Sequence, residues 1–458
     1  MKIIKSLSLI LLVMAVGTTG VYAYDFEKDG IYYNILSSED RTVEVTYRND
    51  SGDSYSGDIV IPQRVINDGK TYTVTTIGEY AFYSCDALTS VSMPSVTTIG
   101  DWAFSYCRAL ASVSMPAVTT IGARAFGDCS ALTSISMPSV TTIGDSAFSG
   151  CSTLASVSMP AVTTIGDYAF SNCSALISIS MPMVTTIGDW AFDSCSALTS
   201  VSMPEVTTIG GAAFYGCSAL TSVSMPSATT IGGSAFGDCS ALESVSIPVA
   251  TTIGISAFYG CSALTSVSMP EVTTIGGFAF NNCSALTSVS IPKVTTIEYR
   301  TFHDCSSLTS VDIPASVSMI GNDAFDGCNS LTAVYCHWEQ PLECDPGFTD
   351  EALMNATLYV PVGTIDAYGK VDPWRNFWNI EERDYSGITD ATASEVVIKV
   401  IDGAITVEGG DMAVSAPVVE VYSAGGGCVY RGTDSSIGGL SHGVYVVRVG
   451  GTVQKVAL

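Results

Sequence analysis

The chain has 458 residues, 47% of them hydrophobic, and only 14% are charged, against roughly 25% in a typical soluble domain. That length exceeds what one compact core holds and points to an array with end pieces. The formal net charge is −26, and no segment beyond the first residues is basic. This argues against nucleic acid and anionic membrane surfaces as partners, because nothing would neutralise their phosphates.

Residues 1–23 read as an export leader: Lys2 and Lys5, an apolar run over 7–17, then the exit Val21-Tyr22-Ala23. No cysteine lies near the cut to carry a lipid. No later stretch reaches the roughly 18 consecutive apolar residues of a membrane span, so an exported, soluble protein is expected. Residues 24–76 alternate apolar and polar side chains in Ile31-Tyr-Tyr-Asn-Ile-Leu, Thr42-Val-Glu-Val-Thr-Tyr and Asp58-Ile-Val-Ile-Pro. Turn residues Asn49, Ser51, Gly52 and Gly57 separate these runs. A small antiparallel β unit is predicted, capping whatever follows.

From residue 77 to 335 one unit recurs twelve times, in copies such as TTIGDWAFSYCRALASVSMPAV from Thr97. The marker cysteines Cys85, Cys107, Cys129, Cys151, Cys173, Cys195, Cys217, Cys239, Cys261, Cys283, Cys305 and Cys328 lie 22 residues apart ten times and 23 apart once. A fixed period of this size signals a solenoid. The apolar positions of one copy, Ile77, Phe82, Cys85, Leu88, Val91, Met93 and Val96, follow neither a helix nor a strand rhythm. Val91 and Met93 fit the inner face of a strand, which leaves Ser90 and Ser92 outside. Ala81, Phe82, Cys85 and Leu88 fit one stripe of a short helix or 3₁₀ turn. Gly78 breaks the chain before that turn, Asp101, Asp145, Asp167 and Asp189 are placed to cap it, and Pro94 with its ten equivalents down to Pro314 ends the strand. Burial within one coil cannot offset the entropy of ordering its backbone, so the coils must fold stacked. The marker cysteines are expected as small buried hydrophobes with parallel side chains, not as disulfides. Cys336 and Cys344, outside the period, are the candidates for a bridge.

Leu88-x-x-Val91-x-Met93 fits the L-x-x-L-x-L core of leucine-rich repeats. The fuller pattern I-G-x-x-A-F-x-x-C-x-x-L-x-x-V-x-[MI]-P resembles the BspA-like subclass, in all twelve copies. Val96 stands where an Asn or Cys ladder is usual, and the period is one residue shorter than the subclass's own. The resemblance implies a leucine-rich repeat solenoid from a bacterial surface protein. It also implies adhesion to host matrix proteins or other cells.

Residues 336–384 read as a C-terminal cap, with a strand at Ala356-Thr-Leu-Tyr-Val-Pro, a short helix over 364–370, and Trp374, Phe377 and Trp378 covering the last core. The run Tyr359-Val-Pro-Val-Gly, Ala367-Tyr368, Trp374, Phe377 and Asn379-Ile380 resembles the C-terminal flank common in the same family. Residues 385–395 form a linker. Residues 396–458 form a separate β domain with strands at 396–401, 404–408, 418–422, 429–431 and 444–449, and hairpin turns at Asp402-Gly403 and Gly450-Gly451. Its ending, Gly443-Val-Tyr445-Val-Val-Arg448-Val and then Gln454-Lys-Val-Ala-Leu, resembles the sorting domains of type IX secretion. That resemblance implies the outer surface of a Gram-negative bacterium. A plain β-sandwich end domain is the alternative.

Catalytic chemistry is not legible. Gly439-Leu-Ser441-His-Gly443 satisfies G-x-S-x-G, but a strand follows where a nucleophile elbow needs a helix. Asp68-Gly69-Lys70-Thr71 ends like a phosphate loop, yet Arg64 stands where its first Gly belongs. His303, His337 and His442 lie in distant segments, and His337 beside Cys336 lacks further ligands at zinc spacing. No enzyme, cofactor or metal is expected.

Two surfaces remain. Rows of hydroxyls at Ser90, Ser92, Ser112, Ser114, Ser134 and Ser136 either keep a strand face soluble or hold an extended protein or glycan through many weak contacts. Tyr80, Trp102, Tyr168 and Trp190, where the copies vary, either stack on sugars and anchor a partner or pack on the next coil. The expected fold is an α/β solenoid: a parallel strand plus a short helical turn per 22-residue coil, a small all-β N-terminal cap and a C-terminal β-sandwich-like domain. The expected role is an adhesive surface or secreted protein; the alternative is a structural spacer or glycan-binding rod that displays its end domain.

Overall fold

The two β-prone runs of each copy, T-T-I and S-V-S, both become strands, so each coil has two strands and not one. The computed structural model describes residues 24–48, 54–385 and, beyond them, the strands Val397–Ile401, Ala404–Glu408, Val419–Ser423, Cys428–Gly432, Ser436–Ile437, Val444–Val449 and Thr452–Ala457. The leader, the turn at Asn49, Ser51 and Gly52, nearly all of the linker, the turns at Asp402-Gly403 and Gly450-Gly451, and the run 439–443 with His442 lie outside the described residues. The chain divides into two units: residues 1–311 with 316–332 and 344–353, and residues 312–315 with 333–343 and 354–458.

In the first unit the Thr-Ile strands, Thr98–Ile99, Thr120–Ile121 and onward to Met319–Ile320, pair in parallel. The register is one of identity: Thr120 faces Thr142 and Ile121 faces Ile143. These strands extend a sheet of 16 strands that begins with Phe26–Lys28, Ile31–Ser37, Thr42–Thr46 and Lys70–Ile77. The Ser strands form a second wall. Gly57–Val60, Leu88–Ser92 and Ser112–Ser114 make a three-stranded sheet, and Ser134–Ser136 through Ser288–Ser290 an eight-stranded one. The N-terminal segment is therefore mixed and not purely antiparallel. Thr42–Thr46 pairs in parallel with Lys70–Ile77, and Gly57–Val60 in parallel with Leu88–Ser92, so the segment feeds both walls.

The third wall is where a short helix or 3₁₀ turn is expected; it holds separate i→i−3 turns and no continuous helix. Alternate amides leave the coil: Tyr80 N–H donates to the Asp101 carbonyl at 3.1 Å, Phe82 to Ala103 at 2.7 Å and Ser84 to Ser105 at 2.8 Å. Those donors are lost to an i→i−4 ladder. The remaining bonds are tight local ones, such as Ala81 to Gly78 at 3.2 Å and Cys85 to Phe82 at 3.2 Å. Two residues per coil turn left-handed, Tyr80 (φ 57°) and Ser84 (φ 53°) in the first. The aspartates cap across coils, not within them: Asp101 Oδ1 accepts from Ala123 N–H at 2.8 Å, Asp145 from Asp167 at 3.0 Å, and Asp167 from Asp189 at 2.8 Å. The recurrent glycine is likewise a matter of close approach. A Cβ on Gly210 would lie 2.6 Å from the carbonyl carbon of Gly188, one coil back.

Inside, Tyr55, the phenylalanines from Phe82 to Phe325 and Phe348 form one column with centroids 4.3–5.6 Å apart. The marker cysteines are buried to 1% exposure or less, but they are more than small hydrophobes. Each thiol from Cys107 onward donates to the main-chain carbonyl of the phenylalanine one coil back, at 2.9 Å for Cys107 to Phe82 and 3.2 Å for Cys195 to Phe170. The same bond recurs down to Cys328 and Phe302.

In the second unit, Ala333–Cys336, Thr357–Pro361 and Asn379–Arg383 pair in parallel. Trp374 is buried and its indole N–H donates to the Leu342 carbonyl at 2.7 Å. Phe377 is 5% exposed, whereas Trp378 is 73% exposed and covers no core. The two residues are adjacent in an extended approach to the strand, so they face opposite ways. The last strands form two antiparallel sheets, and Ile405, Val419, Val421, Ile437 and Val447 are buried. No helix among the described residues is long and apolar enough to cross a membrane.

Replacing Phe192 by alanine leaves a gap in the ring column; chemical denaturation should register a loss of about 3–5 kcal/mol. Burial pushes the Cys195 thiol from its ordinary 9.0 up to about 12. A neutral thiol is therefore retained on folding, and its stabilisation is full below pH 9 and lost as pH rises towards 12. The denaturation midpoint should fall across that window, less steeply in Cys195→Ala. At pH 8 a thiol reagent should leave the ladder cysteines untouched until denaturant is added.

Candidate binding surfaces

The serine wall presents the residues singled out from the sequence unequally. Ser112, Ser114, Ser134 and Ser136 are exposed and in register with their copies. Ser90 and Ser92 are half-buried beside Gly57–Val60. Ser90 Oγ donates to Asp58 Oδ1 at 2.6 Å and Thr89 Oγ1 to the same oxygen at 2.7 Å. These two bonds, that of Ser90 first, hold the Asp58 carboxyl below its ordinary range. On the neighbouring Thr-Ile wall the outward hydroxyl bonds the backbone: Thr119 Oγ1 donates to the Thr97 carbonyl at 3.2 Å, and the pattern repeats coil after coil.

Tyr80, Trp102, Tyr168 and Trp190 all occupy the first left-handed position of their coils, with φ of 56–57°. They lie on the turn wall, away from the serines, in two groups. Tyr80 stacks on Trp102 at 6.1 Å, Tyr83 and Tyr106 join edge-on, and the Arg124 guanidinium sits 4.6 Å from the Trp102 ring. Tyr168 lies parallel to Trp190 at 6.1 Å, and Tyr215 leans on Trp190 at 5.9 Å. A hydrogen bond to Asp238 pushes the Tyr215 hydroxyl up to about 12. Between the groups lies a cleft of about 410 Å³ that includes Arg124, Ser146, Tyr168 and Asp193 in its lining. The sequence marks the four aromatic residues as candidates and Tyr83 and Arg124 only as positions where the copies vary, and it leaves Tyr106 and Asp193 unmarked. A phase count would have placed them, because each lies three or four positions beyond, or one coil along from, a residue already chosen.

Asp68 and Gly69 form the two-residue turn of a hairpin between Arg64–Asn67 and Lys70–Ile77, with φ of 49° and 72°. A phosphate loop is thereby excluded there. His303 lies between Asp304 and Asp326, at 3.0 and 3.2 Å, and His337 Nε2 lies 2.6 Å from Asp312. Among the described residues no group of three His, Cys, Asp or Glu side chains is placed to hold a metal. The bridge expected between Cys336 and Cys344 is not formed: Cys336 is buried on its strand, and burial pushes the half-buried Cys344 thiol up to about 12.

In-register parallel coils with an L-x-x-V-x-M inner face define a leucine-rich repeat solenoid. The chain belongs to the BspA type leucine-rich repeat family, whose six-copy model matches residues 70–177, 141–265 and 229–339. It is similar to a leucine-rich repeat protein of Bacteroides ovatus ATCC 8483 (31% identity over 69% of this chain and 95% of that one, TM-score 0.45). It is also similar to a leucine rich cell surface protein of Faecalibacterium prausnitzii A2-165 (27%, 78% and 94%, 0.44) and to a T. pallidum leucine-rich repeat protein (28%, 43% and 90%, 0.35). No curated protein matches the sequence.

Changing Arg124 to alanine should shift the emission of Trp102 while lowering stability by no more than about 1 kcal/mol, the worth of an exposed cation–π contact.

Proposed function

We propose that the chain is an exported adhesive protein that holds an extended segment of an extracellular protein, from host matrix or another cell, along its serine wall. One observation carries this reading: from Ser112 onward the wall repeats the same exposed hydroxyl pair in register, coil after coil. Contacts that are weak singly add along such a row. The coils from 77 to 335 hold four basic and 17 acidic residues, which favours neutral or basic partner segments. Family membership supports the same reading. Residues 1–23 serve as the leader, 24–76 as an N-terminal cap, 336–384 as a C-terminal cap, and 396–458 as a sorting domain at the surface of a Gram-negative bacterium. A spacer that only displays its last domain is the competing reading.

Retention of the mature chain on immobilised matrix proteins and on whole cells tests the proposal. Glutamate at Ser134, Ser136, Ser156 and Ser158 together should weaken retention at least about tenfold, a loss of roughly 1.4 kcal/mol. Unchanged retention would leave the spacer reading standing. Removing whole coils should weaken binding in steps.

A further inference from the structure

The first left-handed position builds a column along the turn wall: Tyr80, Trp102, Arg124, Ser146, Tyr168 and Trp190 in successive coils. None of its twelve occupants is glycine, although glycine alone takes positive φ without strain. The second left-handed position, by contrast, is Asp128, Gly150, Asn172, Gly216 or Asp238 in most coils. Large rings are thus kept at a backbone cost in the first column, and such cost collects at functional positions.

The column has a missing rung. Arg124 is backed by Trp102 at 4.6 Å, and Tyr168 is backed by Trp190 with the two rings 1° from parallel. Between them in the column stands only Ser146, which lines the cleft. Adjacent coils are about one ring-stacking distance apart, as Tyr80 on Trp102 and Tyr168 on Trp190 both illustrate at 6.1 Å. A single flat or gently puckered ring fills the place of the absent side chain.

The surroundings select the kind of ring. Asn172 Nδ2 donates to Ser171 Oγ at 2.9 Å, Ser171 Oγ to Asp193 Oδ2 at 3.2 Å, and Ser194 Oγ to Asp193 Oδ1 at 3.2 Å, so amide and carboxylate are held in place before any ligand arrives. Arg124 is one of only four basic residues between 77 and 335. A guanidinium, a carboxylate, an amide and hydroxyls around one aromatic face suit a ring with an apolar C–H face and a polar rim of hydroxyls. An aromatic side chain of a protein offers that polar set no rim of hydroxyls to bond. We propose that the Ser146 slot binds one pyranose of an extended glycan, between Arg124 and Tyr168, with Asp193 and Asn172 reading its hydroxyls. This inference rests on the reading of the chain as a binding scaffold, but it uses a different wall from the serines.

The test titrates cellohexaose, xylohexaose, chitohexaose, mannohexaose and a hyaluronan oligosaccharide into the mature chain, read by tryptophan emission and calorimetry. At least one should bind saturably. Ser146→Trp supplies the missing ring from the chain itself, as Trp102 and Trp190 do at the same position, and should weaken that binding at least about tenfold, as should Tyr168→Ala. Ser234→Trp, in the same column between Ala212 and Ser256 and outside the lining of the cleft, should leave it unchanged and so controls for folding. The glutamate variant of the serine wall should also leave it unchanged, which separates this site from protein adhesion. Failure of every oligosaccharide to bind, or binding indifferent to Ser146→Trp, would overturn the proposal. So would a Ser146→Trp effect confined to retention on matrix proteins.

Discussion

Every coil must accept a copy of itself directly above and below. Parallel pairing fixes the step at about 5 Å, and the register sets each residue on its own equivalent. A side chain survives at a given position only if it is compatible with itself at that distance. Phenylalanine is, because offset rings attract. Threonine is, because its hydroxyl reaches the carbonyl of the threonine one coil back. Charge is not, since an unbroken column would set like charges side by side. That is the physical source of the low charge content. The aspartate run at Asp145, Asp167 and Asp189 survives because Asp145 and Asp167 each accept an amide N–H from the aspartate one coil on.

The cysteine position obeys the same rule in a less obvious way. The phenylalanine carbonyl already accepts the amide of the cysteine in its own coil, as Phe82 does from Cys85 at 3.2 Å. Its second lone pair points towards the next coil, where the thiol of Cys107 meets it. A valine there would fill space without donating, and a serine would donate at a higher cost of desolvation. Cysteine is the small side chain that is both apolar enough for the core and able to close the carbonyl. Because core, carbonyls and glycine contacts are all satisfied by identity, the outer positions are left free to differ.

The period, the inner apolar set and the stacking were plain in the sequence, since Phe82, Cys85 and Leu88 recur in every copy and Met93 recurs as Met or Ile in all but the last. The helical turn was misread because Ala81, Phe82, Cys85 and Leu88 fit a helical stripe by spacing alone. Spacing reports which residues point inward, not where their amides go. A contrary signal was present: Asp128, Gly150, Asn172, Gly216 and Asp238 share one position, and that set marks a left-handed residue that would break a helix. The Thr-Ile strand was overlooked because it is two residues long, too short to alternate. The aromatic residues of the turn wall were legible one by one. Their grouping was not, because it depends on the wall being flat enough for Trp102 to meet Arg124 one coil away.

The empty place at Ser146 has a consequence for how such a surface can change. It exists because three particular coils follow one another in a particular order, and no single coil contains it. Excising the middle one would set Arg124 against Tyr168 and abolish the opening, while the ring column and the thiol bonds would rejoin unaltered. Tandem genetic rearrangement, which loses, gains or shuffles whole units, would thus rewrite the exterior wholesale without any penalty inside. The lineage can explore new recognition by permutation instead of by point substitution.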